Sequence, residues 1–137
     1  MSGWRGAMRL KSLLLRIGTL PGVPGQVGGP PDVAAFLQLG EARLAAGDPG
    51  RALAAYDAAL RVDPACAKAH CNRGVALERL GDLAGALEAY DQAIALDPGL
   101  ARAWANRGNM HAALGDVPAA AADRAEALRL DPGAGGA

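Results

Sequence analysis

AKAHCNRGVALERLGDLAGALEAYDQAIALDPGL, residues 67–100, decides the fold of this chain. Gly74, Leu80, Gly81, Asp82, Ala86, Tyr90, Ala93 and Pro98 form its skeleton, and the skeleton returns when the chain is shifted by 34 residues either way. One period earlier it reads Gly40, Gly47, Asp48, Ala52, Tyr56, Ala59 and Pro64. One period later it reads Gly108, Leu114, Gly115, Asp116, Ala120, Ala127 and Pro132. Three units follow without insertion or deletion: 33–66, 67–100 and 101–134. A fixed period of this size is the mark of a helical solenoid, in which each unit buries its apolar face only against its neighbours.

The punctuation inside the unit predicts two antiparallel helices. The first spans about Ala67 to Leu80 and ends at Gly81, a residue free to take the left-handed conformation. Asp82 is placed to cap a second helix, about Leu83 to Leu96. Asp97-Pro98 stops it, because the residue before proline leaves the α region. Pro49 and Pro118 fall in first turns, where a missing N–H costs little. Glycine inside a helix costs about 1 kcal/mol relative to alanine. Gly40, Gly74 and Gly108 therefore imply close helix approach, with Ala86 at the same contact and Ala93 against the following unit.

The pattern resembles the tetratricopeptide repeat (TPR) family. Its fourth position, aromatic in the family, holds Phe36, His70 and Trp104; its twenty-fourth holds Tyr56, Tyr90 and Arg124. The resemblance covers about three quarters of the chain and implies an all-α, right-handed solenoid of three helix-turn-helix repeats. It also implies a non-catalytic module that binds an extended peptide or partner segment on the concave face of the first helices. There Gln38, Asn72 and Asn106 recur at one place in successive repeats, a row of side-chain amides able to donate to and accept from a peptide backbone. By the same analogy Leu37, Glu41, Lys68, Cys71, Val75, Arg79, Arg102 and Asn109 surround the row. Family members that grip a C-terminal carboxylate carry a lysine and an asparagine where this chain has Leu37 and Glu41, and a basic residue where it has Asn106. That clamp is incomplete, and its partner is not carried over.

Composition narrows the classes. The formal net charge is zero, but Arg5, Arg9, Lys11 and Arg16 lie in residues 1–31 without a single acid, leaving residues 32–137 at −4. A slightly acidic repeat domain speaks against nucleic acid, which selects a clustered basic face. Cys66 and Cys71 are the only cysteines, and five residues of helix rise about 7.5 Å, poor geometry for a disulfide. His70, Cys71 and Cys66 match no standard zinc spacing, and both His70 and His111 fall at packing positions. The repeats hold no serine, phosphate loop or nucleophile elbow, so neither catalysis nor a cofactor is expected. Asp57, Glu88, Asp91, Asp123 and Glu126 on the second helices read as a solvated face. Abundant alanine, glycine and arginine with little lysine suggest GC-rich coding, a bacterial source and a cytoplasmic protein.

Outside the repeats, residues 4–17, WRGAMRLKSLLLRI, have the pattern of a short basic amphipathic helix. Arg5, Arg9, Ser12 and Arg16 share one face; Leu10, Leu13, Leu14 and Ile17 share the other. Docking on the solenoid or disorder, contact with an anionic membrane surface, and a targeting role all remain open, and Met8 offers an alternative start. Residues 18–32 read as a Gly/Pro-rich linker in which Asp32 caps the first repeat; residues 135–137 read as a flexible tail. The third unit departs from the others at Arg124 and at the run Pro118–Ala122. Its bare end suggests self-association, or cover by the N-terminal segment, as the alternative to peptide binding; a fragment of a larger protein is a third reading.

Overall fold

A computed structural model describes residues 32–133. The segment 1–17, all of the linker but Asp32, and the tail lie outside the described residues. The described chain holds six helices: α1 (Val33–Ala45), α2 (Pro49–Val62), α3 (Ala67–Arg79), α4 (Leu83–Leu96), α5 (Ala101–Ala113) and α6 (Val117–Leu130). No strand occurs among the described residues. Each first helix pairs with the second helix of its own repeat, and each second helix packs on the first helix of the next. The all-α TPR-type solenoid expected from the sequence is the fold observed.

Local chemistry sets the helix ends. Gly47, Gly81 and Gly115 have φ of 80°, 85° and 85°, the left-handed conformation that breaks each hairpin. The following aspartate caps the second helix in every repeat. Oδ1 accepts from Arg51 N at 3.1 Å for Asp48, from Gly85 N at 2.9 Å for Asp82 and from Ala119 N at 3.2 Å for Asp116. Asp32 caps α1 in the same way, accepting from Ala35 N at 2.8 Å. The first helices α3 and α5 start at Cys66 and Leu100 without a side-chain cap. There the preceding Asp-Pro turn is held by Asp63 accepting from Ala65 N and Asp97 accepting from Gly99 N, both at 3.0 Å.

The core is small-residue packing around two tyrosines. Ala52, Ala59, Ala69, Ala76, Ala86, Ala93 and Ala103 are wholly buried, as are Tyr56 and Tyr90. A Cβ built on Gly74 falls 2.5 Å from Cε1 of Tyr90, and one on Gly40 meets the Tyr56 ring. The mid-helix glycines thus make room for a ring of their own repeat.

Candidate functional site

The first helices α1, α3 and α5 lie in sequence along the solenoid, with α3 touching both others. The amide row has three different environments. Gln38 is exposed and Asn106 is half-buried, its Nδ2 donating to Cys71 Sγ at 3.8 Å across the repeat junction. Asn72 is wholly buried, and neither Oδ1 nor Nδ2 has a hydrogen-bond partner. A buried polar group left unpaired costs about 1–3 kcal/mol.

Cations surround the row. Lys68, Arg79 and Arg102 are exposed. Arg79 is tied back through Nη1 to the Leu44 carbonyl at 3.2 Å. Burial pushes the Cys71 thiol up, and the Arg102 charge beside it pulls the other way. Burial, followed by Glu78, raises the Tyr90 hydroxyl above the ordinary phenol range. That hydroxyl donates to Glu78 Oε2 at 3.1 Å. Asn109 is exposed and accepts from Arg124 Nη2 at 3.5 Å. Of the expected surround, Glu41 is exposed and Val75 half-buried, whereas Leu37 and Cys71 belong to the core rather than to an open face.

The third hairpin corrects the reading of the second-helix carboxylates. Asp123 is buried, not solvated. Its two oxygens accept from Arg107 Nε and Nη2, each at 2.8 Å, and His111 Nε2 lies 3.7 Å away. The pair pushes the Arg107 guanidinium further up. Arg107 also bonds Asp91 through Nη1 at 3.0 Å and sits 5.0 Å over the Trp104 ring. Asp57 likewise pairs with Arg73 at 2.8 Å. One signal existed in the sequence: Asp123 stands where Ala55 and Ala89 stand, in the same repeat in which Arg124 replaces tyrosine.

His70 and Trp104 share a role that their chemistry permits and Phe36 lacks. His70 Nε2 bonds the Pro64 carbonyl at 3.0 Å, and Trp104 Nε1 donates to the Pro98 carbonyl at 2.9 Å. Between α2, α3 and α4 a cleft of about 310 Å³ is lined by Leu60, His70, Arg73, Glu88, Ala89 and Gln92. The larger Trp104 and Asp123 stand at the corresponding places of the third repeat. Among the described residues no group of three or more His, Cys, Asp or Glu is placed to hold a metal ion, and no helix is long and apolar enough to cross a membrane.

Stacked helix hairpins with small-residue seams and a polar row along the first helices define a helical-repeat protein-interaction module. The chain belongs to the tetratricopeptide repeat family, whose model, described as "Tetratricopeptide repeat", matches residues 37–101 and 86–135. No curated protein matches it by sequence. Among solved structures it is similar to the first TPR of Spaghetti (RPAP3) bound to HSP90 peptide SRMEEVD. That match has 26% identity and a TM-score of 0.71, covering 74% of this chain and 80% of that one. The Arabidopsis OM64 TPR domain matches at 26% identity and a TM-score of 0.72, over 75% and 85% of the two chains. YrrB, a TPR protein with an unusual peptide-binding site, matches at 25% and 0.67, over 76% of this chain and 54% of that one. The fold is typically a non-catalytic one.

Proposed function

We propose that this protein binds an extended, acidic peptide segment of a partner protein along its first helices. Gln38, Asn72 and Asn106 engage the peptide backbone, and Lys68, Arg79 and Arg102 meet its carboxylates, with Asn109 at the end of the row. The observation that carries this reading is Asn72, whose amide has no partner in the fold and no exposed surface, so a peptide reaches it only when the side chains covering it move aside. Once it is uncovered, a peptide backbone supplies the donor and the acceptor that the amide lacks, so binding recovers a cost already present in the fold. The acidic character rests on the three exposed cations and on the acidic peptide bound by one relative.

The test uses SRMEEVD and a charge-biased peptide library as probes, titrated against the intact chain. Asn72→Ala with Asn106→Ala should weaken the best binder by roughly 5–150-fold at unchanged helicity, the equivalent of two neutral hydrogen bonds. Arg102→Ala should weaken it at low salt and much less at high salt, because an exposed charge is screened. Unchanged affinity in the double variant at verified fold would reject the amide row.

A further inference from the structure

Both internal repeat junctions use one register. Arg73 pairs with Asp57 and Arg107 with Asp91, each arginine meeting the aspartate 16 residues before it on the preceding second helix. Around these pairs the junctions bury small or apolar side chains of the first helix, Ala69 and Ala76 at one and Ala103 and Met110 at the other. Leu60 and Ile94 pack there from the second helix.

The two ends of the described solenoid carry the halves of a third such junction, in apolar form. On α1 the corresponding residues are Ala35, Leu39 and Ala42, all exposed; on α6 they are Ala125 and Leu128, also exposed. Leu39 stands in the place of Arg73 and Arg107, and Ala125 in the place of Asp57 and Asp91. Both members of the charge pair are apolar at once, so neither face strands half of an Arg–Asp pair. Leu128 is 45% exposed, whereas Ile94, its counterpart under α5, is 9% exposed. Leu39 is 40% exposed where a solvated end favours charge. Arg124 does not oppose the fit. The cations near Tyr56 and Tyr90 are Arg79 and Arg102, and their counterparts on α1 are Ala45 and Ala34.

We propose that chains associate head to tail, α1 of one copy seated on α6 of the next in the register of the internal junctions. The contact joins two different surfaces and leaves one of each free, so it continues beyond a dimer, to a filament or a closed ring.

The test is the mass of the full chain by sedimentation or light scattering over a concentration series, where the mass should rise past the dimer. Leu39→Arg alone or Ala125→Asp alone places a lone charge in the joint and should weaken association at least about tenfold. Both substitutions in one chain recreate the internal Arg–Asp pair and should restore it. An equimolar mixture of the two single variants should also associate, because it contains one untouched α1 face and one untouched α6 face. Both positions are exposed, so circular dichroism should stay unchanged in every variant. A monomer at all concentrations, a mass that stops at two, single variants that associate like the parent, or a double variant no better than the singles would each overturn the proposal.

Discussion

The middle and third repeats close the same hairpin with different chemistry. In the middle repeat the Tyr90 ring lies over Gly74, and its hydroxyl reaches Glu78 on the facing helix. In the third, Arg124 is exposed and nothing aromatic covers Gly108. The α5–α6 contact is held instead by Asp123, buried against Nε and Nη2 of Arg107. The backbone is the same because turns and caps are the same; the lock is free to vary because it only has to fill the cleft between the two helices. A ring does so by area, an ion pair by charge, and the two should fail differently.

The largest difference should come from the arginines. Arg107→Ala leaves the Asp123 carboxylate buried without its partner, and removing one member of a buried pair costs about 3 kcal/mol or more. Arg73→Ala removes the counterpart pair with Asp57, whose side chains are both substantially exposed, and should cost within about 1 kcal/mol. Urea midpoints of the two variants decide this. Equal shifts would mean that Asp123 is no more dependent on its partner than a surface carboxylate.

The glycines sharpen the same contrast at smaller scale. Gly74→Ala drives a methyl into the Tyr90 ring at 2.5 Å, and overpacking of this kind costs about 1–3 kcal/mol. Gly108→Ala meets Asp123 Cβ at 3.2 Å and the Ala120 carbonyl at 3.3 Å, a contact that a small shift relieves. Alanine's better helix propensity, about 1 kcal/mol, offsets what remains. Thermal melts should separate the two variants widely; a Gly108→Ala chain as damaged as Gly74→Ala would show that the third hairpin is packed as tightly as the second.

What the sequence made legible follows the same division. Helix ends were readable because Gly81, Asp82 and Pro98 act through their own backbone, within a few residues. The amide row was readable as a row, since Gln38, Asn72 and Asn106 share a register. Its burial was not, because how far Asn72 is covered depends on the packing of neighbouring helices rather than on its own repeat position. Asp123 was misread for a related reason. A carboxylate on an outward-tending helix reads as solvated until the arginine 16 residues earlier is seen to reach it. Leu39 and Ala125 became informative only once Arg73–Asp57 and Arg107–Asp91 had defined what a junction contains.

The smallest effect separates two tyrosines that look identical in sequence. Tyr90 donates to Glu78, but the corresponding residue facing Tyr56 is Leu44, and the Tyr56 hydroxyl is buried without a partner. Tyr90→Phe should therefore cost about 1 kcal/mol, the net worth of a hydrogen bond, whereas Tyr56→Phe should be neutral or slightly stabilising, since it removes a polar group that gains nothing. The pH dependence follows from the same burial. Burial raises both hydroxyls above the ordinary phenol value, so the folded chain holds these protons more tightly than the unfolded one. Their contribution is complete below about pH 10 and is lost as pH rises through the folded values. Denaturation midpoints at neutral pH should rank Tyr56→Phe at or above the parent and Tyr90→Phe below it. Above pH 10 the parent should lose stability faster than either variant, because each variant has one buried hydroxyl fewer to ionise. A Tyr56→Phe chain that melts earlier than Tyr90→Phe at neutral pH would mean that the Tyr56 hydroxyl has a partner in solution.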